Sequence, residues 1–136
     1  EGTLHVAWYT GATERQGMYY ATSIDNGQSF SEPLPILTGD WVPPQRIFVT
    51  VDNDDTVWLT WEDATGLSTN EKSWRYGDTQ AFIFTAQVID GELIRADNPI
   101  NENDAKSLTN IDSDNGLVSI VWTETDNSVK ITTAEN

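Results

Sequence analysis

The chain has 136 residues, 38% of them hydrophobic, with no cysteine and a single histidine, His5; this suffices for one domain with its own core and excludes a disulfide framework, a thiolate metal site and a cysteine nucleophile. Twenty-two acidic residues against seven basic ones give a formal net charge of −15, which argues against DNA, RNA or an anionic membrane as partner, because binding phosphates draws on clustered Lys and Arg. No apolar run approaches the roughly 20 residues of a membrane helix, and, as the sequence starts at Glu1 without a Met, any export signal is expected to be gone already.

In chain order, Leu4 to Trp8 alternates apolar residues toward a terminal Trp and predicts a strand, and Met18 to Thr22 predicts its hairpin partner. The run Ser23-Ile24-Asp25-Asn26-Gly27-Gln28-Ser29-Phe30 follows at once. Its Ser and Asp suit the backbone of a tight turn, Gly27 suits a positive φ, and Phe30 is expected to return into the core. A further strand is expected at Pro33 to Leu37, then a connection holding Asp40, Trp41, Pro43 and Pro44, then a strand from Arg46 to Asp52. After an acidic turn, Val57 to Trp61 repeats the Trp-ended design, and the long stretch from Glu62 to Gln80 leads to Phe82 to Ala86. A turn at Asp90-Gly91 precedes a short strand at Leu93 to Ala96; Ser107 to Asp112, Val118 to Trp122 and Val129 to Thr133 complete the set. Helical periodicity is absent.

Three of these strands share one pattern. Leu4/Val6/Trp8, Val57/Leu59/Trp61 and Val118/Ile120/Trp122 align without gaps, and a period of two puts each set on one face, with His5, Trp58 and Ser119 on the other. Both faces are partly apolar, which fits a sheet covered on both sides.

The S-x-D-x-G-x-x-F run, carried by Ser23, Asp25, Gly27 and Phe30, resembles the Asp-box (BNR repeat) of sialidase-like β-propellers, and Leu4 to Ile36 looks like most of one blade. The resemblance implies an all-β fold of four-stranded antiparallel blades, with these four residues structural. With strands lettered A to D from the ring axis outward, the chain reads B-C-D, A-B-C-D, A-B-C: blade 1 at about 2–38, blade 2 at about 45–100 and blade 3 at about 106–136 of a single domain, 1–136. About two and a half blades make an incomplete ring, so a homo-oligomer or the remainder of a longer propeller chain is expected to complete it. The family also implies an extracellular, cell-surface or periplasmic location.

In such blades the B-C and D-A connections lie at the end that generally binds ligands, and here they contain Trp41, Trp74, Arg75 and Tyr76, with Glu14, Arg15 and Lys72 nearby. Exposed Trp and Tyr stack on sugar rings or anchor protein contacts, and Arg holds carboxylates; the alternative is that Trp41 and Trp74 pack beneath their own loops. The expected function is a non-catalytic module binding a glycan or a partner protein, with neither nucleic acid binding nor membrane insertion. The alternative is a glycoside hydrolase of sialidase type whose catalytic residues lie on other blades or subunits. No catalytic residue is carried over: Arg46-Ile47 matches the start of the family's Arg-Ile-Pro motif, but Phe48 stands in place of the proline. His5, inside a strand, is expected at an interface between sheets, and Glu62 and Asp63, as strand neighbours, point to opposite sides. No cofactor is expected; calcium at Asp52/Asp54/Asp55 or Asp112/Asp114/Gly116 is the alternative to ordinary turn chemistry.

Overall fold

A computed structural model describes residues 2–39, 46–63, 81–103 and 105–135. The strands are β1 (Leu4–Thr10), β2 (Gly17–Ser23), β3 (Leu34–Thr38), β4 (Ile47–Val51), β5 (Val57–Asp63), β6 (Phe82–Ile89), β7 (Glu92–Arg95), β8 (Ala105–Asp114), β9 (Leu117–Glu124) and β10 (Val129–Glu135). Among the described residues there is no helix. Most strands are rich in Val, Ile, Thr and aromatic residues, which suit a pleated surface, and most are bounded by Gly, Asn or Asp. They form three antiparallel sheets, β1-β2-β3, β4-β5-β6-β7 and β8-β9-β10. Each sheet is a meander of consecutive strands, so its pairing is built from hairpins alone.

Turn chemistry sets the registers. Asp90-Gly91 takes φ of 53° and 80°, and Asn115-Gly116 takes 52° and 80°, the pair of positive values that two-residue hairpins with a right-handed twist require. Asp112 and Asp114 therefore lie in β8 and not in the turn expected for them; the Asn-Gly pair alone makes the reversal. The same strand begins at Ala105, earlier than expected, and its register shifts between Ala105 and Ser107 and again between Leu108 and Asn110. In the first sheet the register shifts between Met18 and Tyr19. Beside that irregularity Gly17, at φ +154°, brings its α-carbon so close to β3 that an added Cβ would lie 2.4 Å from the Leu37 carbonyl oxygen.

The three sheets stack with one sense. β4 lies beside both β1 and β8, and β3 touches β7, so the second sheet stands between the first and the third. Each sheet turns its Leu/Val/Trp face, here called leading, toward the sheet before it, and its other, trailing face toward the sheet after it. Met18, Tyr20 and Ile36 from the trailing face of the first sheet pack on Val57, Leu59 and Trp61 of the second. Phe48, Trp58 and Ile83 of the second pack on Val118, Ile120 and Trp122 of the third. The outer faces have no such cover. Leu59 and Ile120 are 0% and 3% exposed, whereas their equivalent Val6 in the first sheet is 37% exposed and Leu4 is 45% exposed.

Phe30 departs from expectation. Half exposed at 51%, it does not enter the core but lies with Val6, Trp8 and Pro33 on the leading face of the first sheet. A ring there is buried only if another sheet covers that face, and the described residues contain none.

Candidate functional site

The up-and-down order puts the strand ends that bound 24–33, 52–56, 90–91 and 115–116 at one end of the stack, and those that bound 11–16, 39–46, 64–81, 96–104 and 125–128 at the other. The strand ends on either side of 64–81, the longest interval between strands, belong to the second group. Trp41, Trp74, Arg75 and Tyr76, the residues expected to bind a ligand, lie outside the described residues, while the strand ends that anchor their connections are described.

Around those strand ends two carboxylates occupy equivalent places, each two residues after a strand's Trp. Asp63, buried, accepts a hydrogen bond from Arg95 Nη2 at 3.1 Å. The Arg95 guanidinium also lies over the rings of Trp61 and Phe84, 5.1 and 4.1 Å from their centroids, an arrangement favourable to a planar cation. Glu124, buried in the third sheet, faces Lys130 Nζ at 3.6 Å and Asn103 Nδ2 at 3.4 Å. Both acids have a cation beside them. Below them the buried Asn101 fastens the β7–β8 connection to β6: its Oδ1 accepts from Ile83 N at 2.7 Å, and its Nδ2 donates to the carbonyls of Ala81 (3.0 Å) and Asn103 (2.7 Å). These contacts join the described strand ends to one another.

At the opposite end the Ser23 to Phe30 turn is tied by its own side chains. Ser23 Oγ donates to Asp25 Oδ1 at 2.8 Å and accepts from Gly27 N at 2.8 Å. Asp25 also accepts from Ser29, through the backbone N at 2.9 Å and through the hydroxyl. These donors, those of Ser29 foremost, pull the Asp25 carboxyl down to about 2. Asn26 and Gly27 take φ of 59° and 85°, the conformation for which Gly27 was singled out. The side chains of Ser23, Asp25 and Ser29 thus serve the turn itself.

The acidic turn at 52–56 behaves likewise. Asp52 N donates to the Thr56 carbonyl at 2.9 Å, Asp55 N donates to the Asp52 carbonyl at 3.0 Å, and the Asp52 carboxylate accepts from Asn53 N. Among the described residues no group of three or more His, Cys, Asp or Glu side chains could hold a metal ion. His5 stands between the first two sheets, its Nδ1 2.6 Å from the Tyr20 hydroxyl and its ring stacked on the Tyr20 ring. Burial lowers its pKa and the charge of Asp55 raises it more weakly. Among the described residues no helix is long and apolar enough to cross a membrane.

The leading face of the first sheet is a further candidate surface. Two shallow concavities, of about 320 and 350 Å³, meet on either side of Trp8 and Pro33; Arg15 and Tyr19 border the first, Val6 and Phe30 the second. The Trp8 and Tyr19 rings stack with centroids 5.8 Å apart, as Trp61 and Phe84 do in the second sheet at 6.2 Å. In sequence Trp8 shares the pattern of Trp61 and Trp122, which fits a sheet covered on both sides. What distinguishes it is its surroundings: among the described residues no sheet packs on the face that carries it.

No family model, curated protein or solved structure matches the chain. Its function is therefore argued from its own geometry.

Proposed function

We propose that the chain is part of a sialidase-like β-propeller and serves as a non-catalytic module that binds a glycan through its B-C and D-A connections. The observation that carries this reading is the stack itself. Three antiparallel meanders follow one another with the same face forward, and the third-to-fourth and fifth-to-sixth strand connections, 39–46 and 64–81, start and end at strand ends of one group. Successive four-stranded blades around an axis have this order, and ligands of such scaffolds sit on loops held by rigid strands. The self-contained turn of Ser23, Asp25 and Gly27 supports the likeness to the Asp-box and a structural role for it. Trp41, Trp74, Arg75 and Tyr76 supply stacking rings and a planar cation on the binding connections.

A binding role is favoured over hydrolysis by the state of the carboxylates near that end. Asp63 and Glu124 each have a cation at hand and are covered by neighbouring chain, which suits them to holding strands together more than to moving protons. The test is a glycan array probed with the chain and with Trp41→Ala and Trp74→Ala, beside turnover of a fluorogenic sialoside. Binding that falls at least tenfold in either variant, with unchanged far-UV circular dichroism and no turnover, supports the module. Turnover overturns the non-catalytic reading. A chain that binds no glycan but captures a protein through the same two tryptophans replaces the ligand and keeps the surface.

A further inference from the structure

We infer that the leading face of the first sheet is the docking surface for a second copy of this chain, and that it receives the trailing face of that copy's third sheet. The inference rests on the blade reading above.

The three sheets are equivalent position by position. Val6, Leu59 and Ile120 correspond, as do Trp8, Trp61 and Trp122, because each Trp pairs with the same place on the next strand: Tyr19, Phe84 and Lys130. One residue before that place stand Met18, Ile83 and Val129, and one after it Tyr20, Thr85 and Ile131. These second sets form the trailing faces. Met18 and Ile83 are both 0% exposed beneath the following sheet, while Val129 is 71% and Ile131 66% exposed. One chain therefore shows, uncovered, a leading face whose two counterparts are each covered by a trailing face, and a trailing face whose two counterparts each cover a leading face.

That combination selects the occupant. A surface meant for an unrelated partner needs no resemblance to an internal one, whereas these two faces continue the interfaces already made inside the chain and complement each other. A contact between different patches of identical chains is head-to-tail and either closes a ring or grows without limit. With the three sheets of the described residues in each copy, two copies make six sheets, within the roughly four to eight that close a propeller, and three copies exceed it. The predicted assembly is a two-fold ring in which Val6 and Trp8 of each copy lie under Val129 and Ile131 of the other.

Sedimentation velocity and light scattering on the 136-residue chain test this at tens of micromolar. The expected mass is twice the chain's 15.2 kDa. Val6→Lys alone and Ile131→Glu alone are expected to sediment as monomers with unchanged far-UV circular dichroism, both sites being exposed. Mixing the two variants restores a dimer, since one of its contacts is then wild-type and the other sets Lys against Glu. A wild-type monomer with a normal β signal and cooperative unfolding overturns the second-copy contact but leaves the stack and its binding end standing. A dimer that Ile131→Glu leaves intact shows the leading faces meeting each other and overturns the head-to-tail contact. A ladder of growing masses overturns the closed ring.

Discussion

Replacing Trp61 by alanine is the sharpest probe of whether successive sheets are held by the face-to-face packing described above. Trp61 is fully buried between the first and second sheets, and removing a buried Trp side chain costs about 3–5 kcal/mol. Arg95 loses one of its two ring partners, adding ~0.5 kcal/mol for a half-exposed cation. Against this, the indole N–H of Trp61 is buried without a hydrogen-bond partner among the described residues, so its removal returns about 1 kcal/mol. The net expectation is a loss of roughly 3–4 kcal/mol, a large part of the 5–15 kcal/mol of a typical domain. In urea, read by far-UV circular dichroism so that the lost fluorophore does not matter, the midpoint should fall by roughly 2 M at an m-value of about 1.5–2 kcal/mol/M. Trp61→Phe separates the terms. It keeps a ring over which Arg95 can lie and removes the unpartnered donor, so its loss should stay below about 1.5 kcal/mol. A Trp61→Ala loss under about 1 kcal/mol would refute the packing of the two sheets, since a residue at a covered interface cannot be truncated so cheaply. Equal losses for Phe and Ala would instead show that the indole N–H has an acceptor.

Three further perturbations probe other parts of the argument. Asp25 has its folded pKa lowered from 3.8 to about 2, so the stabilisation it gives is complete above about 3.8 and lost as pH falls toward 2; Asp25→Asn should flatten that part of an acid-unfolding curve and leave the curve between pH 6 and 8 unchanged. Gly17→Ala sets a Cβ against the Leu37 carbonyl at a φ that L residues avoid, and should lower stability by about 1–3 kcal/mol in thermal unfolding; a neutral result would refute the close approach of β2 and β3. Arg95→Ala removes the partner of Asp63 and the cation over Phe84, and should cost about 1–2 kcal/mol in urea unfolding, the guanidinium being over a third exposed. Arg95→Lys should recover less than half of that loss, because an ammonium keeps the charge but not the planar stack.

Much of the architecture was legible because its signals are local. Alternation marks Val57 to Trp61, the Gly and Asn pairs mark the reversals, and hairpins between consecutive strands need no long-range information. The chemistry of the Ser23 to Ser29 turn was legible for the same reason, every hydrogen-bonding partner lying within four residues. What escaped depends on neighbours distant in sequence. Phe30 reads as a core residue, yet its burial is decided by whether a sheet stands before β1. The pairing of Asp63 with Arg95 spans 32 residues and follows only from the registers of β5, β6 and β7 taken together. Asp112 and Asp114 read as turn acids because clustered Asp usually marks loops, but the Asn115-Gly116 pair directly after them makes the tighter reversal and leaves them in the strand. Apolar patterning fits a sheet covered on both faces, which the described residues show for the second sheet alone; it did not tell which face meets which, and that sense of stacking defines the two open faces.

The order of the sheets also bears on how the molecule breathes. Since the core packing among the described residues joins successive sheets, stability is shared out along a line, and an element's resistance to opening grows with the number of interfaces it holds. The second sheet has two, the outer ones a single interface each. Amides of β5 and β6 should therefore be the last to take up deuterium, and those of β1 and β10, each bonded on one edge only, among the first. Opening would then begin at the two ends of the stack, on the strands that carry Val6 and Ile131.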